Sequence, residues 1–115
     1  MAAAERRTSL VVSRDRGRAR DWGRELEREG VRVVRCAARN CPLLGGGVCD
    51  VLAGADTAVY DEETLDPELF LALVRAGLRP TVLFARDVPR GGRHHAKFTR
   101  VLDHRGAATI FPHLR

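Results

Sequence analysis

Aromatic side chains are scarce in this chain of 115 residues: one Trp, one Tyr and four Phe, 5% in all. A core with so few rings must be aliphatic, built from Leu, Val and Ala, and few rings remain for stacking on nucleobases. No apolar run approaches the ~18 residues of a membrane span. Met1–Arg7 has no apolar segment of the kind a signal peptide carries. The sequence therefore predicts a cytoplasmic protein with no membrane association. Cysteines are few and odd in number, three, and a cytosolic chain keeps its thiols reduced, so no disulfide framework is expected. There is no P-loop and no G-x-G-x-x-G fingerprint. Neither Ser9 nor Ser13 sits in a nucleophile elbow. These absences point away from an enzyme.

What is present fits one domain. The hydrophobic share is 44%, charged residues are 30%, and the net charge is +5. All the basic residues are Arg except Lys97. With abundant Ala and Gly, this is the imprint of a GC-rich coding sequence. Excess positive charge can serve an anionic partner. Here the bases are interleaved with acids along the chain, so nucleic acid is not an expected partner.

Short apolar runs alternate with helical stretches, the rhythm of βα units around a parallel sheet. Residues 1–8 read as a flexible N-terminus and residues 9–115 as one domain. Ser9–Ser13 is a first strand. Arg18–Glu29 is a helix with Ala19, Trp22 and Leu26 on one face, stopped by Gly30. Val31–Arg35 is the second strand. A loop with Pro42 and Gly45–Gly47 leads to a short helix at Cys49–Ala53. Thr57–Tyr60 is the third strand, closed by Asp61. Asp66–Gly77 is a helix with Asp66 as N-cap and Pro67 at its first position. Thr81–Ala85 is the fourth strand. Pro89, Gly91 and Gly92 form a loop, His94–His104 a helix with Phe98, Val101 and Leu102 inward, and Ala108–Phe111 a fifth strand. Right-handed crossovers then give an α/β three-layer sandwich with a five-stranded parallel sheet of order 2-1-3-4-5. Ligands of such sheets bind at the carboxyl ends of the strands.

From about Ser9 to His113 the chain resembles the receiver domain of two-component response regulators. Asp61, in TAVYD, stands at the phosphoacceptor position, and Pro80 matches a Pro before the fourth strand. Phe111-Pro112 falls where receivers carry Lys-Pro. The resemblance implies a flavodoxin-like signalling domain, but one stripped of its chemistry. The acidic pair that holds Mg²⁺ is replaced by Ser13 and Arg14, with Asp15 one residue late. The strand-end Thr or Ser is Ala85, and the Lys is Phe111. Hard cations need oxygen ligands and phosphoryl transfer needs its charge neutralised. The expectation is a pseudo-receiver that cannot be phosphorylated and works by protein interaction.

Two other groups are candidates. Cys36, Cys41 and Cys49, spaced C-x4-C-x7-C in a Gly-rich loop, could hold zinc or an iron–sulfur cluster, or act as redox thiols; packing as small apolar residues is the plainer alternative, and no cofactor is expected. Arg14, Arg16 and Arg18 lead into a helix amino end, where free N–H groups favour an anion or nucleotide. An acidic group, Asp61, Glu62, Glu63, Asp66 and Glu68, reads as helix-start acids or as a docking surface. His94 and His95 are expected to be exposed.

Receivers follow the fifth strand with a helix, and only Pro112–Arg115 follow Phe111. One face of the sheet should then be partly uncovered. The helix Leu69–Val74 is apolar nearly all round. Both features predict a homodimer or a protein partner.

Overall fold

Strands that must be buried on both faces need apolar side chains at successive positions, and the first strand shows why. In β1 (Thr8–Val12), Leu10, Val11 and Val12 are all buried, although they point alternately up and down. The computed structural model describes residues 7–37, 42–45, 47, 49–76, 80–103 and 106–109. Strand pairing already starts at Arg7, whose carbonyl accepts from the N–H of Arg32, within the stretch expected to fray.

The elements that follow are α1 (Arg16–Arg28), β2 (Arg32–Cys36), a 3-10 turn (Pro42–Gly45), α2 (Asp50–Ala53) and β3 (Thr57–Asp61). Then come α3 (Pro67–Ala76), β4 (Thr81–Arg90), β5 (Arg93–Asp103) and β6 (Gly106–Thr109). The chain is an α/β domain whose single sheet has the order β2-β1-β3-β4-β5-β6. The pairings β1–β2, β1–β3 and β3–β4 are parallel, as the βα rhythm predicted. Two cores result. Leu10, Val12, Ala58, Tyr60, Val82 and Phe84 pack on Leu43, Leu52, Leu69 and Leu73, from the 3-10 turn, α2 and α3. On the opposite face Val11, Val59 and Ala85 pack on Ala19 and Trp22 of α1.

Local chemistry explains the helix ends. The Asp15 side chain caps α1 by accepting from the N–H of Arg18. Asp66 Oδ1 accepts from the N–H of Leu69 at 2.8 Å, and Pro67 opens α3. Such caps stabilise a helix by about 1 kcal/mol.

The last third corrects the expectation. The sheet is mixed, because β5 runs antiparallel to β4 and β6 antiparallel to β5. The predicted helix over His94–His104 is a strand over its described part, Arg93–Asp103. Gly91 and Gly92 both have positive φ, 56° and 76°, which is the two-residue turn that joins twisted antiparallel strands. The misleading signal is a β-bulge. The register steps from Phe84↔Arg100 to Ala85↔Phe98, so Thr99 is the extra residue. It places Phe98 and Val101 on the same face, a spacing of three that imitates a helix. The Thr99 hydroxyl donates to the Phe84 carbonyl at 3.2 Å, which fixes the bulge. The expected fifth strand at Ala108–Phe111 is displaced to β6, and residues 110–115, with the Lys-equivalent position Phe111, lie outside the described residues.

Candidate functional site

The carboxyl edge of the parallel strands gathers charge. Asp61 ends β3 and is only 1% exposed. Its carboxylate is held from three sides. Ser13, just after β1, donates its hydroxyl to Oδ2 at 2.7 Å. The backbone N–H of Glu63 donates to Oδ1 at 3.0 Å. Arg18, from the first turn of α1, donates from Nη1 to Oδ2 at 3.1 Å. The Ser13 hydroxyl has one proton, and the short bond to Asp61 takes it; its oxygen accepts from the N–H of Asp15 at 3.1 Å.

Arg18 is the hub. The same Nη1 donates to Glu63 Oε2. Its Nε lies 3.4 Å from Asp87 Oδ2 and 3.9 Å from Asp15 Oδ2. Four carboxylates thus surround one guanidinium. The Glu63 hydrogen bond first, and Asp61 next, hold the guanidinium firmly in its charged form. A cation in the first turn of a helix opposes the helix dipole, so the carboxylates rather than the helix end account for its place there.

The cluster continues on the other side of Asp87. Its Oδ2 is 2.8 Å from His94 Nδ1. The backbone N–H of His94 donates to Asp21 Oδ2, on α1, at 2.9 Å. That bond is the main reason why the Asp21 carboxyl is held below its ordinary value of 3.8. The Asp15 carboxyl is lowered in the same way, chiefly by the Arg18 N–H. Gly17 makes room for this contact, because a side-chain carbon there would sit 3.3 Å from His94 Nε2. Asp87 Oδ1 and Arg18 Nε are buried without a hydrogen-bond partner among the described residues.

The sequence-predicted residues are distributed as follows. Asp61 lies at the strand end where it was expected. Of the three arginines, Arg18 turns inward to carboxylates, while Arg14 and Arg16 are exposed. The Arg14 N–H donates to the Thr64 hydroxyl at 2.8 Å, which ties the loop after β1 to the turn after β3. Glu62 pairs with Arg100 at 3.2 Å, Glu63 with Arg18, and Asp66 caps α3, so most of the acidic group is engaged within the chain. Cys36 and Cys49 are partly buried and both pack against the larger core; Cys41 lies outside the described residues. Among the described residues no group of three His, Cys, Asp or Glu side chains is arranged to hold a metal ion. The residues at the strand edge do not fit a divalent cation, because Arg18 takes the place among the carboxylates. Asp87 and His94 were not recognised as parts of this cluster. The Gly91-Gly92 turn was the signal that could have brought them there, since it folds β5 back along β4.

A second feature is apolar. Leu44, Val51, Leu71 and Val74 are 44–49% exposed. Leu44 and Leu71 border a groove of about 400 Å³ between the 3-10 turn and α3. No described helix is long and apolar enough to cross a membrane. No family model, curated protein or solved structure matches the chain, so functional assignment rests on this geometry.

Proposed function

We propose that this domain is a non-enzymatic interaction module, a receiver-like α/β scaffold that cannot be phosphorylated. One observation carries the proposal. The carboxylate at the phosphoacceptor-like position, Asp61, is buried and bonded to Ser13, Arg18 and the Glu63 backbone. A carboxylate must reach solvent to attack a phosphoryl donor, and the incoming charge needs a cation free to meet it. Here the nearby cation is already shared among four carboxylates. Incubation with acetyl phosphate and Mg²⁺ should give no mass increase. A phosphoryl adduct that disappears in Asp61→Asn would overturn the proposal.

The partner surface we assign is the exposed apolar strip on α3 and the 3-10 turn, with a second copy as the expected occupant in a closed two-fold dimer. Light scattering should report twice 12.7 kDa, and Leu71→Glu should return the monomer mass. A monomer in the unaltered chain at micromolar concentration removes the dimer.

A further inference from the structure

The antiparallel hairpin sorts charges that the linear sequence interleaves. Residues opposite one another in a β-ladder share a face, and alternate residues share it along each strand. The register pairs Arg86 with Lys97, Val88 with His95, and Arg90 with Arg93. These six residues therefore occupy one face of the ribbon. The other face carries Asp87, His94, Ala96 and Phe98, which turn to α1 and the Arg18 cluster. No carboxylate of the ribbon itself falls on the first face by register; Glu25 of α1 reaches His95 there, with Oε1 2.8 Å from Nδ1. Arg86, Arg90 and Arg93 are exposed and Lys97 is half-exposed. None of the four makes an ion pair with a described residue. Two like-charged pairs, Arg86↔Lys97 and Arg90↔Arg93, stand directly opposite each other, an arrangement that costs stability in an isolated protein. A polyanionic partner relieves it.

We propose that this ribbon face is a binding site for duplex DNA, engaged through backbone phosphates without base selectivity. Five considerations select this partner. A two-stranded ribbon has the width to enter a major groove of about 12 Å. The face has no Phe, Tyr or Trp on which the bases of a single strand could stack, and its imidazole, His95, is engaged by Glu25. The deep, narrow major groove of duplex RNA excludes it. Val88 is its one apolar residue, too little to enter a membrane. A second copy of the chain is a poor counterpart, since Glu62, Glu63 and Asp66 are already engaged within their own molecule. The sequence argued against nucleic acid because its bases and acids alternate, and strand pairing is what separates them.

The test is fluorescence anisotropy with a labelled duplex DNA of about two helical turns, titrated with the full chain between about 50 and 200 mM salt. Four phosphate contacts predict a slope of log K against log salt of about −3.6. The double variant Arg90→Glu/Arg93→Glu should lower the slope by about two and weaken binding roughly sixty-fold at 0.1 M salt, since each contact is worth about eightfold there. Arg32→Glu/Arg75→Glu makes the same change in net charge at exposed positions away from the ribbon and should lose far less. Circular dichroism checks that each variant is folded. Absence of binding, or an equal loss in both double variants, overturns the site. Equal or tighter binding to duplex RNA, to a polyglutamate peptide or to anionic vesicles overturns the choice of partner.

Discussion

The strand edge around Arg18 and the ribbon around Arg90 treat charge in opposite ways. Around Arg18, carboxylates from the loop after β1, the end of β3, the turn beyond it and β4 converge on one guanidinium, and two of them, Asp61 and Asp87, are almost wholly buried. Around Arg90, cations face one another across a ladder with no acid between them. The two regions are the two faces of the same hairpin, since Asp87 and His94 alternate with Arg86, Arg90 and Arg93. The acids are drawn inward to neutralise a buried cation, and the excess of positive charge is left outside. A net charge of +5 understates how basic the outer face of the ribbon is.

The comparison breaks first at Arg18. If that guanidinium neutralises the edge, Arg18→Ala leaves Asp61 and Asp87 buried without their counter-ion and should cost about 3–5 kcal/mol, read as a lower urea midpoint. Unchanged stability would mean that the carboxylates find water or protons as easily as they found Arg18.

Acid sharpens the same point. Asp15 and Asp21 have carboxyls held below 3.8 in the folded chain. A lowered native value means that their stabilisation is fully present above the unfolded value and is lost as pH falls through the folded one. Thermal stability should hold from neutrality to about pH 4.5 and fall below about pH 4. Asp21→Asn should begin less stable and lose less over that window. Parallel curves for the two proteins would show that Asp21 does not contribute.

On the ribbon the sign reverses. Arg90→Glu converts a repulsive cross-strand pair with Arg93 into an attractive one, and should raise stability by about 0.2–1 kcal/mol. A loss larger than that would mean that Arg90 makes a native contact.

Much of the parallel part was legible. SLVVS and TAVYD read as buried strands and VRVVR as a strand, which the structure places at the sheet edge, and Asp66-Pro67 marked the start of α3. Asp61 could be placed at a strand end from the run that precedes it. Two things were hidden. One extra residue, Thr99, shifted the alternation of β5 so that Phe98 and Val101 read as helical. The role of Arg18 was hidden as well, because a basic residue beside a helix amino end suggests a bound anion. Only the distances show that its anions are side chains from four separate segments, 43 to 69 positions further on in the case of Asp61, Glu63 and Asp87.

The bond from the His94 N–H to Asp21 also bears on how the molecule behaves in a crowded solution. Among the described residues, β6 covers β5 from Arg100 to Asp103. Earlier in β5, main-chain donors and acceptors that pair with no described strand on that side could template a stranger's strand. Asp21 occupies one of those donors from outside the sheet, and the unpaired cations at Arg93 and Lys97 repel any second ribbon that approaches in register. The opposite edge, β2, carries exposed Arg32 and Arg35. Charge thus guards the β2 border and the early part of β5 against strand-by-strand growth.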